Sequence, residues 1–326
     1  MKHHARLPRT DELEALLGQA LTEGLWPVTV IERKANLYES TFRSEEVTCR
    51  IEAGVTDGHA AAPVVRLFGK YAGPGLPATG RGLAFEAYAH RAVAAPSGLT
   101  VARLLAAHHD DVDGGEWLIY EFVDGLRINQ TPWPQCLEAA ATWIGQFHAR
   151  WDGSLADPAL SGLPRFDEMY YGAALDRAFR RLEQRRPRFP EAAGWILDRR
   201  EIITQLIKGR LLSGPQTVIH GEFYPGNIIL AEGRVCPVDW ESAAVAAGAI
   251  DIAMLTARWG SESVDLATGA YAAARNGTAD PELNDRIAAA RLFTELNHPD
   301  DRPTQGAAQP RYLTEARAAA ATLGLD

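Results

Sequence analysis

The sequence predicts an α+β fold in two lobes, a small antiparallel-sheet lobe followed by a larger, mainly helical one. Three observations lead there. Strand-like runs are crowded early, at Val28 to Ile31, Ser40 to Arg43, Val47 to Ile51 and Val64 to Phe68, and another, Trp117 to Val123, follows Asp113-Gly114-Gly115. Past Gly125 strands largely stop and helical periodicity takes over. The length of 326 residues exceeds what one small core needs and suits two. The expected division is 1–123, a sheet with an N-terminal helix, and 124–326, the helical remainder.

Composition narrows the class. With 46% hydrophobic and 23% charged residues the chain is ordinary globular material rather than disordered. A net charge of -9 argues against nucleic acid or an anionic membrane as the main partner. Cys49, Cys136 and Cys236 stand apart, in no CxxC pair, which fits reduced thiols better than disulfides or a zinc site. The start at Met1 leads into no signal-peptide core, and no apolar run approaches 18 residues. A cytoplasmic location is the expectation; oligomeric state is not legible.

Taken in order, Thr10-Asp11-Glu12 offers a cap and two acids for a helix with Leu13, Leu16, Leu17, Ala20 and Leu21 on one face, closed by Gly24. Between the first two strands, Glu32 to Glu39 reads as a loop without glycine. The strand ending Val64 to Tyr71 carries Lys70, and Leu83 to Arg91 has helical composition with Glu86 in its first turns. Taken alone, Lys70 and Glu86 read as a solvated surface pair. The stretch from Ala72 to Gly80 contains Gly-x-Gly-x-x-Ala, but two prolines and the lack of a βαβ unit make it a plain loop. His108 to Gly115 is a turn rather than a metal-ligand set.

Gln135 to Trp151 is helical, with His148 a satisfied core histidine. Eight arginines against four acids in 176–200 fit solvated helix faces with i,i+4 pairs. Ser261 to Arg275, Pro281 to Glu295 and Arg311 to Leu323 read as Ala-rich helices, and 299–310 as a polar loop. Their acids equally suit a cation or water.

The chemistry concentrates between Thr217 and Glu241. Val218-Ile219, Ile228 to Leu230 and Val235 to Val238 are three short strands, separated by His220-Gly221-Glu222-Phe223-Tyr224-Pro225-Gly226-Asn227 and by a Glu232-Gly233 turn. The polar residues fall at strand ends. Glu222 can orient a hydroxyl and accept its proton, while Asn227 and Asp239 are oxygen donors of the kind magnesium prefers.

His-Gly-acid, four residues, Asn, then an apolar-Asp-Trp-Glu strand end resembles the catalytic core of the aminoglycoside phosphotransferase and choline kinase family, small-molecule relatives of protein kinases. The resemblance covers roughly residues 28–256, most densely 217–256. It implies a bilobal protein-kinase-like fold. It implies an ATP- and magnesium-dependent O-phosphotransferase acting on a small-molecule hydroxyl: an aminoglycoside-like antibiotic, a sugar, an amino alcohol or a biosynthetic intermediate.

It also distributes roles: Glu222 the base, Asn227 and Asp239 the magnesium ligands, Lys70 on the phosphates with Glu86 holding it. The backbone of Glu121, Phe122 and Val123 would meet the nucleotide base. His220 would prop the loop and Asp251 brace it. One departure stands out: the family usually has Asp where this chain has Glu222. Two readings follow, a base in a site shaped for the longer arm, or a catalytically impaired, pseudokinase-like nucleotide-binding module.

Overall fold

The computed structural model describes residues 7–36, 42–52, 62–73, 82–109, 114–131, 133–275, 280–297 and 310–325. The expected strand start at Ser40, residues 110–113 of the turn expected at 108–115, most of the 72–80 loop and 299–309 of the 299–310 loop lie outside them; His108 and His109, expected in that turn, end a strand instead. The first elements are α1 (Thr10–Thr22), β1 (Val28–Ala35), β2 (Arg43–Ile51), β3 (Val64–Ala72), α2 (Gly82–Ala89), β4 (Leu104–His109), β5 (Glu116–Glu121) and β6 (Leu126–Arg127). Helices α3 (Pro134–Trp151), α4 (Glu168–Arg185), α5 (Pro190–Asp198) and α6 (Arg200–Leu212) follow, then strands β7 (Gln216–Ile219), β8 (Ile228–Ala231), β9 (Arg234–Pro237) and β10 (Ala244–Ala247). Helices α7 (Ala249–Thr256), α8 (Ser261–Ala274), α9 (Leu283–Asn297) and α10 (Arg311–Thr322) complete the chain. None of the described helices is long and apolar enough to cross a membrane.

Two units emerge, and the chain visits both twice: Met1–Leu126 with Ile229–Ser242, and Arg127–Ile228 with Ala243–Asp326. The β8–β9 hairpin thus belongs with the first sheet's unit although it lies far downstream in sequence. Its two-residue turn puts Glu232 and Gly233 both at positive φ, 50° and 75°, the primed geometry that matches strand twist.

The first unit is built on an antiparallel sheet in the order β1-β2-β3-β5-β4. Successive side chains of a strand point to opposite faces, and both faces here are covered. Leu67, Tyr71, Trp117 and Ile119 pack with Leu13 and Leu17 of α1, whereas Ala72, Leu118 and Tyr120 pack with Leu83 and Ala87 of α2 and with Cys236 of β9. This two-sided burial explains why Trp117 to Tyr120 is an unbroken apolar run rather than an alternating one.

Three local expectations need correction. Thr10 is inside α1; Arg9 holds the N-cap position, its amide donating to Glu12 at 2.7 Å, and α1 stops at Thr22 with Glu23 left-handed at φ 53°. The strand expected at 47–51 begins at Arg43 and is continuous. Glu32 to Ala35, expected in a loop, extend β1. A buried triad is the common cause of the last two: Arg33 bonds Glu45 at 2.6 Å and the Tyr71 hydroxyl donates to the same carboxylate at 2.8 Å. These charged residues are strand interior, paired across the sheet.

In the second unit β7 and β10 form an antiparallel pair, with Ile219 opposite Ala244, amid helices α3 to α10. The pair delivers two segments to neighbouring positions: the His220–Asn227 loop after β7 and the first turn of α7 after β10.

Candidate active site

In the first unit β3 presents Lys70 on the α2 side of the sheet. Its ammonium lies 2.9 and 2.8 Å from the two oxygens of Glu86 and 2.8 Å from Oδ1 of Asp239. Glu86 is almost wholly buried, and the Tyr120 hydroxyl donates to its Oε1 at 3.0 Å. Burial alone would strip Lys70 of its proton, but the two carboxylates outweigh it and hold Lys70 charged, its pKa raised. For Glu86 burial is the larger influence and pushes its carboxyl up, against the pull of the Lys70 charge. Asp239 sits at φ 73°, a left-handed backbone uncommon for a residue with a side chain. Trp240 next to it is buried and opens a short turn packed on α2.

The segment after β5 is clamped. The Glu121 amide donates to the Arg103 carbonyl at 2.9 Å and the Phe122 amide to the Arg66 carbonyl at 3.1 Å. The Arg66 guanidinium lies 3.9 Å over the Phe122 ring and bonds Asp124 at 2.9 Å. Gly125 is required nearby, because a β-carbon there would fall on the Leu230 carbonyl.

In the second unit the loop after β7 carries Glu222 and Asn227. Gly221 turns it at φ 84°. The Tyr224 amide donates to the Glu222 carbonyl and the Asn227 amide to the Tyr224 carbonyl, both at 2.8 Å, and Arg127 donates to the Gly226 carbonyl at 2.8 Å. Asn227 Nδ2 donates to the Glu222 carbonyl at 3.2 Å, which leaves its Oδ1 as the acceptor, the end of the amide a metal ion would use. Phe223 anchors the loop beneath, fully buried and stacked on Trp143 at 6.0 Å.

His220 is buried, and its Nδ1 accepts the Glu222 amide at 3.3 Å. Asp251, in the first turn of α7, accepts the His220 amide at 2.7 Å and the Gly221 amide at 2.9 Å. His148, from α3, meets the same carboxylate at 3.1 Å. Among the described residues no group of three His, Cys, Asp or Glu side chains is placed to hold a metal ion.

A family model for phosphotransferase enzymes, the APH family, matches residues 73–288. The chain belongs to this family. Solved structures agree on the fold. The apoenzyme of macrolide 2'-phosphotransferase MphH from Brachybacterium faecium is 18% identical, covering 96% of this chain and 99% of its own at a TM-score of 0.55. A choline/ethanolamine kinase family protein from Mesorhizobium loti is 16% identical over 97% of this chain and 93% of its own, with a TM-score of 0.51. Amicoumacin kinase hAmiN, in complex with AMP-PNP, Ca2+ and Ami, is 15% identical over 88% of this chain and 86% of its own, with a TM-score of 0.55. No curated protein matches this chain in sequence.

For this phosphotransferase-family chain the structure therefore brings Lys70, Glu86 and Asp239 together in the first unit, with Glu121, Phe122 and Val123 at the end of β5, and sets Glu222 and Asn227 on one loop of the second. Sequence reasoning missed Tyr120 and Arg66. The signal for Tyr120 was available: a tyrosine inside an apolar strand buries its ring and needs a partner for its hydroxyl. Arg66 gave none, since its guanidinium is one of many.

Proposed function

We propose that this chain transfers the γ-phosphoryl group of a nucleoside triphosphate, ATP in the simplest case, to a hydroxyl of a small molecule. The observation that carries the reading is the Lys70 ammonium held at 2.8 Å by both Glu86 and Asp239. A lysine kept charged and fixed on a strand is a point charge for phosphate oxygens. Glu86 and Tyr120 keep it in place. Because the Glu121 and Phe122 amides are committed within the sheet, the Val123 amide and neighbouring carbonyls are the groups left to read a base edge.

Asp239 and Asn227 supply the oxygen donors that suit magnesium, and the committed Nδ2 of Asn227 fits that role. When bound, such an ion neutralises phosphate charge. Glu222 orients the acceptor hydroxyl and takes its proton. Asp251 anchors the two peptide units before it, so the carboxylate rests on a fixed backbone. Positioning and electrostatics carry the acceleration, since a loose transition state leaves little covalent work for protein groups. The acceptor is open among antibiotics, sugars, amino alcohols and biosynthetic intermediates.

The test is a panel of hydroxyl compounds with magnesium-ATP, read as a mass gain of one phosphoryl group. We expect one class to turn over and Asp239→Ala to abolish it. Full activity in Asp239→Ala overturns the mechanism. Nucleotide binding seen as a thermal shift, with no turnover across the panel, favours the impaired module instead.

A further inference from the structure

The second unit contains a line of buried polar side chains that leads away from the loop and that the proposed reaction does not use. It starts at Asp251. Its Oδ2 accepts the His220 amide and faces His148 Nε2, and its Oδ1 accepts the Gly221 amide. Both Asp251 oxygens already accept backbone amides, so His148 presents its proton to them at Nε2. His148 is completely buried, and that burial, ahead of the opposing pull of Asp251, lowers its basicity and keeps the ring neutral.

A neutral ring with Nε2–H has its lone pair at Nδ1, which lies 2.9 Å from the Tyr271 hydroxyl. Tyr271, also buried, is therefore the donor. Its oxygen accepts from Arg275 Nη1 at 3.0 Å, and Arg275 Nη2 donates to both oxygens of Asp152 at 2.5 and 2.6 Å. From Arg275 through Tyr271 and His148 each donor points toward Asp251, and the loop amides of His220 and Gly221 donate to the same carboxylate from the other side. Two close approaches are built around it. A β-carbon on Gly248 would lie 2.6 Å from both His148 Nδ1 and the Tyr271 oxygen, and one on Gly145 would lie 2.8 Å from the Tyr271 carbonyl.

We propose that Tyr271, with Arg275 behind it, is a positioning residue: by donating to His148 Nδ1 it seats the imidazole whose Nε2–H meets Asp251, the carboxylate that holds the His220–Gly221 backbone, and with it the Glu222 carboxylate. Without the hydroxyl, the buried Nδ1 lone pair has no donor and the ring is no longer held against Asp251. The loop then loosens without any change in the groups that bind nucleotide. The turnover arm of the test rests on the phosphotransferase reading; the spectroscopic arm does not.

The experiment uses the full chain labelled with [15N]histidine, His148 being assigned by comparison with His148→Gln. Tyr271→Phe removes one oxygen and keeps the ring. In the wild type we expect a single Nε2–H tautomer at His148. In Tyr271→Phe we expect that tautomer kept, the His148 Nδ1 resonance moved to that of an unbonded ring nitrogen, and amide exchange at His220 and Gly221 faster by roughly five- to tenfold, the loss of about one buried hydrogen bond. On an acceptor that turns over, kcat should fall by a similar factor with the nucleotide KM unchanged. An unaltered Nδ1 resonance, with exchange within about twofold of wild type, overturns the proposal. Should Tyr271→Phe fail to fold, Arg275→Met carries the same comparison: faster exchange supports the line and unchanged exchange overturns it. A shifted Nδ1 resonance with faster exchange in a protein with no turnover on any acceptor sinks the phosphotransferase reading and leaves this one standing.

Discussion

At position 222 a glutamate reaches about one methylene further than the aspartate its motif usually carries, from a loop whose backbone is fixed at His220, Gly221, Tyr224, Gly226 and Asn227. If the site is shaped for that reach, Glu222→Gln should lower kcat by about a hundred- to ten-thousandfold, and Glu222→Asp by about a hundredfold from misplacement alone. A Glu222→Asp enzyme faster than wild type would show that the longer arm is the impairment. Away from the site, Glu295 on α9 is pushed up to about 7 by burial first and by Glu315 next, against Arg258, Arg291 and Arg311. Its folded pKa exceeds the ordinary 4.5, so between those values the native state holds the extra proton, and stability falls as pH rises through about 7. Glu295→Gln should melt with wild type at pH near 4 and above it near 8; equal melting at both ends removes the linkage. Individual positions stood out in the sequence where a motif marked them. His148 was readable only as a core histidine, because its partner Asp251 lies 103 residues away.

At the scale of elements, what could be read depended on whether burial left an apolar mark. Trp117 to Tyr120 announced β5 because both faces are covered. Ser44-Glu45-Glu46 concealed the middle of β2, since Glu45 is buried by pairing with Arg33 and Tyr71 rather than by being apolar. The sequence pattern registers hydrophobicity and cannot register a cross-strand ion pair. The β8–β9 hairpin was legible from its Glu232-Gly233 turn, but its approach to Gly125 was not. There, Gly125→Ala forces a methyl onto the Leu230 carbonyl, a backbone atom that moves only if the strand does. We expect a loss of about 1–3 kcal/mol, as for overpacking, seen as a lower Tm. A Tm matching wild type would mean the hairpin moves aside freely.

For the whole molecule, a division into 1–123 and 124–326 follows the change from strand to helix along the sequence, whereas the contacts group 229–242 with the first sheet. Segments that return from a distance are invisible to any reading that moves along the chain. A fragment ending at Leu126 lacks Cys236 in the cluster around Leu118 and Tyr120, the buried Trp240 and the Asp239 partner of Lys70. It should melt without a cooperative transition and regain one when a peptide spanning 229–242 is added. A sharp melt in the fragment by itself would show that the returning segment is dispensable. The same arrangement sets a schedule during synthesis. At roughly 5–20 residues per second the ribosome takes on the order of ten seconds to travel from Leu126 to Ser242. Throughout that wait the α2 side of the nascent sheet lacks Cys236 and Trp240, and a lysine misses one of its two counter-charges, so translation speed and holding chaperones bear on how much of the newborn chain escapes aggregation.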